Sequence, residues 1–184
     1  MAFLGEKTDA FPIIHVQDFD RVAVISDLYG KERQRETLLV SEAYELGHRF
    51  DNYIPVEDFI VYLQSMFVQD ETTANIMKIV GNLSQGVEAQ FVDDGVTQRV
   101  TAMTGVTRKE VVSVPNPVEL RPFRTFADIE QPSSNFVLRI KANNDRGPTC
   151  ALFEADGGAW KNTAIATIKT WLAKNAPEGI KIIA

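Results

Sequence analysis

Phe136-Val137-Leu138-Arg139-Ile140, then Cys150-Ala151-Leu152-Phe153, then the spaced apolar residues Ala164, Ile165, Ile168, Trp171 and Leu172 are the stretch that decides the fold. The first two runs are apolar and short, so each reads as a strand. The polar Asn143-Asn144-Asp145-Arg146-Gly147-Pro148 between them reads as a hairpin loop. The third run recurs at helical spacing and predicts a helix over about 159–174. Asn175 and Pro177 stop it, and Ile180-Lys181-Ile182-Ile183 reads as a closing strand. Strand, strand, helix, strand points to α+β architecture.

Upstream, residues 87–103 repeat the hairpin pattern. Val87, Ala89 and Phe91 alternate with Glu88 and Gln90, Asp93-Asp94-Gly95 supplies a turn, and Val96, Val100 and Ala102 alternate with Thr97, Arg99 and Thr101. Val111-Val112-Ser113-Val114 is a further strand, ended by Pro115 and Pro117. Residues 115–134 hold four prolines yet also Leu120, Phe123, Phe126 and Ile129, so an ordered arm or packed loop is expected. A helix is predicted over 55–67. Pro55 suits its first position, Glu57 and Asp58 its positive N-terminal end, and Val56, Phe59, Ile60, Leu63, Met66 and Phe67 its buried face. Residues 74–83 fit either state, and Ile76-Met77-Lys78-Ile79-Val80 tips the reading toward strand. Residues 11–16, 22–25 and 37–40 are β-branched, apolar and strand-like, while 41–54 are ambiguous. The expectation is one α+β domain over 1–184, strand-rich and mostly antiparallel, with two main helices and a proline-rich arm or loop at 115–134.

A chain of 184 residues with 45% apolar and 24% charged residues can form an ordinary globular core. No apolar run is long enough to span a membrane. The start lacks the basic and apolar regions of a secretory signal, so a soluble cytoplasmic protein is expected. One cysteine and two histidines cannot alone build a zinc site, and neither a metal nor a cofactor is expected. Residues 1–100 carry 8 Lys/Arg against 17 Asp/Glu, a net of −9, while 101–184 carry 11 against 8, a net of +3. With a pI near 5.0, this balance disfavours nucleic acid, above all along the front half.

Candidate chemistry is thin. His15 and His48 are far apart, and Gly47-His48-Arg49 reads as surface. Cys150 sits in an apolar strand and reads as a buried thiol. Asp93 and Asp94 are explained by their turn. Glu154, Asp156, Gly157, Gly158 and Trp160 lie between a strand and a helix, where a ligand contact competes with a plain helix cap by Asp156. Arg121-Pro122-Phe123-Arg124-Thr125-Phe126 interleaves cations and rings. With Arg108, Lys109, Arg139 and Lys141 it could form a basic aromatic surface for an anion, a nucleotide or single-stranded nucleic acid. The competing readings are that both rings turn inward beneath solvated Arg heads, or that they make a subunit contact. Arg121, Arg124, Arg139 and Trp160 are the candidate ligand-binding residues, and no catalytic residue can be assembled.

Further motifs carry a resemblance. These are Asp93-Asp94-Gly95-Val96-Thr97-Gln98, Val114-Pro115-Asn116-Pro117-Val118, Leu120-Arg121-Pro122-Phe123-Arg124-Thr125-Phe126, Glu130-Gln131-Pro132 and Cys150-Ala151-Leu152-Phe153-Glu154-Ala155-Asp156-Gly157-Gly158-Ala159-Trp160-Lys161. Over roughly residues 50–184 the chain resembles uncharacterised phage and prophage proteins, distantly similar to the YfdQ-like family. The resemblance implies an early-expressed phage protein encoded near recombination functions, with a longer N-terminal part in its relatives. It brings no catalytic residues.

Three functions follow as expectations. The first is a non-enzymatic protein that binds a host factor or small ligand in host takeover or counter-defence, as a homo-oligomer. The second is a recombination or replication accessory that contacts DNA through the basic aromatic surface. The third is a self-assembling structural protein using the proline-rich segment.

Overall fold

The computed structural model describes residues 12–84, 90–93, 98–104, 108–114, 116–141 and 147–184. In chain order these form β1 (Ile13–Asp18), β2 (Arg21–Ile25), β3 (Thr37–Glu42), β4 (Ile54–Pro55), α1 (Val56–Met66), α2 (Glu71–Ser84) and β5 (Gln90–Asp93). Then come β6 (Gln98–Thr104), β7 (Arg108–Val114), β8 (Val118–Leu120), β9 (Ser134–Lys141), β10 (Thr149–Glu154), α3 (Trp160–Asn175) and β11 (Lys181–Ile183). Described strand pairs are antiparallel except β1 with β11. The class is α+β and strand-rich. Two units emerge. Unit 1 takes the described residues up to Glu45, Arg124–Glu130 and Lys161–Ala184; unit 2 takes Leu46–Phe123 and Gln131–Trp160.

In unit 2 the sheet order is β4-β10-β9-β8. Ser134, Phe136, Leu138 and Ile140 are buried while Asn135 and Lys141 are exposed, the period of two expected of β9. Cys150 opposite Ile140 and Leu152 opposite Leu138 extend the same buried face across β10. The predicted strands 136–140 and 150–153 therefore pair as anticipated; loop residues 142–146 lie outside the described part. At the other edge, Val118 pairs with Phe136, and Asn116 continues the ladder with its side chain: Leu138 N–H donates to Asn116 Oδ1 at 2.8 Å.

Helices α1 and α2 cover this sheet. Val56, Phe59, Leu63 and Phe67 are buried with Ile76, Val80, Leu120 and Phe136 in one core. Burying side chains of that size stabilises by roughly 1.5–3 kcal/mol each before conformational entropy is subtracted. The 55–67 helix forms within a residue at each end, with one correction. Pro55 precedes α1 with ψ 149, an extended conformation, and belongs to β4 opposite Thr149. A proline's fixed φ suits either position, and strand pairing takes this one.

Residues 74–83 are helical, which overturns the strand reading. Thr73, Ile76 and Val80 are all fully buried, a spacing of three and four that only a helix places on one face. Asp70 starts the helix, its Oδ1 accepting from the Thr73 N–H at 2.9 Å.

The third sheet is the meander β5-β6-β7, also in unit 2. The predicted hairpin pairs Phe91 with Val100 and Asp93 with Gln98. Its turn residues Asp94, Gly95, Val96 and Thr97 lie outside the described residues, as do Val87, Glu88 and Ala89.

In unit 1 the sheet order is β11-β1-β2-β3. Val16 and Ile168 are buried together with Ile129, and Val22, Phe126, Ile165 and Leu172 pack around them. So α3 and the 124–130 segment cover one face of this sheet. Thr125 Oγ1 donates to the Phe19 carbonyl and ties that segment to the β1–β2 turn. Strand β3 is the sheet edge, and all six of its residues are exposed. No described helix is long and apolar enough to cross a membrane.

Candidate functional site

Arg121 is the first candidate from the 121–126 motif, and the structure engages it internally. Its Nε and one terminal nitrogen donate to Asp70 Oδ2 at 3.3 and 3.2 Å. The backbone fixes the same junction: Val68 N–H donates to the Arg121 carbonyl at 2.9 Å and Phe123 N–H to the Met66 carbonyl at 2.9 Å. Partial burial works against ionisation of Asp70. The Thr73 backbone N–H, the Thr73 side chain and the Arg121 guanidinium outweigh it and hold the carboxyl below its usual value. Arg121 is thus a partner of the α2 cap.

Of the other candidates, Arg139 and Trp160 belong to unit 2 with Arg121. Leu120 pairs with Ser134, and Arg139 stands five residues further along β9, about 17 Å away at roughly 3.4 Å per residue. Arg124 is half-buried and belongs to unit 1. Trp160 is buried at 7% exposure at the start of α3. Arg139 lies on the β9 face turned away from α1 and α2. On that face the Lys141 ammonium lies 3.9 Å from the Tyr53 ring centroid and Tyr53 meets Phe153 edge to face at 6.0 Å. The side chains of Arg108 and Lys109 in β7 lie outside the described part.

The strand-to-helix junction is built for turning. Sequence suggested Asp156 as the cap of α3, but the helix begins at Trp160, four residues on. Its Oδ1 instead accepts from the Gly158 N–H at 2.9 Å, and Ser134 Oγ donates to its Oδ2 at 2.5 Å. Gly157 and Gly158 have φ of +62 and +80, where a side chain is strained, so the two glycines set the turn before the helix.

His48 is half-buried, not the surface residue its neighbours suggested. Its Nε2 lies 2.8 Å from the Phe123 carbonyl, which can only accept, so Nε2 carries the hydrogen. Nδ1 then accepts from the Tyr62 hydroxyl at 3.0 Å, and that hydroxyl accepts from the Arg49 N–H at 3.1 Å. The ring stacks on Phe50 with centroids 4.9 Å apart. Nδ1 thus ties His48 to Tyr62 of α1, and Nε2 ties it to the Phe123 carbonyl. Cys150 is fully buried, and burial pushes its thiol up to about 12, so it carries no thiolate near neutral pH. Among the described residues no group of three His, Cys, Asp or Glu side chains could hold a metal ion.

Unit 1 contains a concave site that no motif announced. A pocket of about 270 Å³ opens between the sheet and α3. Val22, Val24 and Leu39 form its sheet wall; Ile168, Trp171 and Leu172 form its helix wall; Phe126 and Ile129 close one side. Ser41 and Asp128 are its two polar lining residues. Sequence spacing placed Trp171 in the core stripe, yet it is 39% exposed at this opening, as α3 presents Ile168 inward and rotates Trp171 toward the rim. A mostly apolar pocket with few polar groups is the usual form of a small-molecule site. Unit 2 has a wider surface depression of about 430 Å³, flanked by Arg49, Asp58 and the 60% exposed Val61. Its charged and solvated walls give it less shape for a ligand. Comparison of the chain with protein-family models, curated proteins and solved structures matched nothing.

Proposed function

We propose that this is a binding protein, acting without catalysis, that captures a small apolar ligand in the unit 1 pocket. The observation that carries this is the pocket itself: an apolar cleft of about 270 Å³ with Trp171 at its mouth and only two polar side chains in its lining. Two of the partly buried titratable groups of unit 2 are engaged internally, Asp70 with Arg121 and His48 with Tyr62 and Phe123. We further propose, on the resemblance of its sequence motifs to phage and prophage proteins distantly similar to the YfdQ-like family, that it acts in the cytoplasm of a bacterial host in host takeover or counter-defence. The test is thermal unfolding across a panel of hydrophobic small molecules, with native mass spectrometry for any compound retained through purification. A stabilising ligand whose effect disappears on Ile168→Trp, which fills the pocket, supports the proposal. A flat panel and a bare protein mass refute it.

A second reading, homo-oligomerisation, is favoured by β3. Leu38, Leu39 and Val40 are 57%, 56% and 41% exposed on a sheet edge whose outer side no described strand pairs. Such an edge is a template for another strand. Sedimentation of the purified chain and of Val40→Lys tests it: a dimer that the substitution dissociates supports self-pairing, and a monomer at all concentrations refutes it. DNA binding has less support, because Arg121 is held by Asp70 and the net charge is −6.

A further inference from the structure

We infer that the unit 1 pocket is selective for an apolar cation, a hydrophobic amine or quaternary ammonium whose charge pairs with Asp128 while its body fills the cleft. This rests on the reading of that pocket as a ligand site. Asp128 is the single charged residue in the lining. Among the described residues it has no ion-pair or hydrogen-bond partner. Ser41, the other polar lining residue, carries no charge, so Asp128 alone sets the sign of the cleft. Asp128 is exposed at the edge of the cleft, so a neutral ligand leaves its carboxylate hydrated and gains nothing from its charge. An anionic ligand would add repulsion. A cation gains a charge-assisted contact with the carboxylate. The rings point the same way. Trp171 and Phe126 line the same cleft, and aromatic faces attract ammonium groups and tolerate them beside apolar carbon. The volume suits a compact body, one the size of a small polycyclic hydrocarbon.

The experiment uses three probes that share one body and differ in charge: 1-adamantylammonium, 1-adamantanol and adamantane-1-carboxylate. Affinity is measured by calorimetry at neutral pH, and the Trp171 indole N–H signal in the ¹H–¹⁵N spectrum locates binding. The expected order is ammonium tightest, alcohol intermediate, carboxylate weakest. Asp128→Asn should weaken the ammonium about two- to fivefold, as an exposed ion pair does, and leave the alcohol unchanged. If the alcohol binds as well as the ammonium, or Asp128→Asn affects both alike, the cation inference is overturned while the pocket reading survives. If none of the three shifts Trp171, the site does not accept a ligand of this size and both readings fall.

Discussion

Replacing Asp70 separates two roles that one carboxylate performs. Oδ1 accepts from the Thr73 N–H at 2.9 Å and caps α2, while Oδ2 receives Arg121 at 3.2 Å. Loss of a helix cap costs about 1 kcal/mol. The Arg121 pair has side chains 31% and 25% exposed, so its Coulombic part is screened to roughly 0.5–1 kcal/mol. Asp70→Ala removes both and should cost about 2 kcal/mol. Asp70→Asn keeps a capping oxygen and loses the charge, so it should cost about half as much. With a urea slope of about 2 kcal/mol/M, the midpoints fall by roughly 1 M and 0.5 M. The assay is urea unfolding at pH 7 in a Trp171→Phe background, where the fluorescence comes from Trp160 in unit 2. The folded-state pKa of Asp70 lies below its unfolded value of about 3.9, so its contribution is complete above that pH and fades as pH falls through it. The gap between wild type and Asp70→Ala should therefore narrow between about pH 5 and pH 3. Equal losses for the two substitutions would refute the capping argument. A gap that stays constant down to pH 3 would refute the role of the ionised carboxylate.

Other outcomes follow from the same packing. Phe136→Ala empties a fully buried position that meets Phe50 and Phe67, with a cost of about 3–5 kcal/mol; a loss under 1 kcal/mol by the same urea assay would contradict that core. Tyr62→Phe strips a partner from the Arg49 N–H and from His48 Nδ1, for roughly 1–2 kcal/mol, and should speed tryptic cleavage after Arg49; unchanged digestion argues against the anchor. Cys150, with its thiol raised to about 12, should resist iodoacetamide in the folded protein at pH 8 and react on unfolding; rapid native labelling disproves its burial.

The elements that were legible in the sequence are those whose periodicity has one interpretation. Phe136, Leu138 and Ile140 alternate with polar or partly exposed neighbours, and Val56, Phe59 and Leu63 step at helical spacing, so β9 and α1 follow from local order. Ile76-Met77-Lys78-Ile79-Val80 satisfies both periods. Its helical state depends on Asp70 as a cap and on the burial of Thr73, Ile76 and Val80 in one core, which a short window does not contain.

The candidate site divides in the same way. Composition and charge bounded the classes of function, and cation–aromatic interleaving at 121–126 was visible as residue types. Whether Arg121 faces solvent or a carboxylate was decided by Asp70, 51 positions earlier in the chain. The unit 1 pocket draws on residues from β1, β2, β3, the 124–130 segment and α3, with neither spacing nor motif in common. Sequence by itself determined the element types wherever side-chain period and backbone geometry agree, because that agreement is local. Tertiary structure decided which polar groups are already paired and where a cleft is left open, because both depend on distances between residues far apart along the chain.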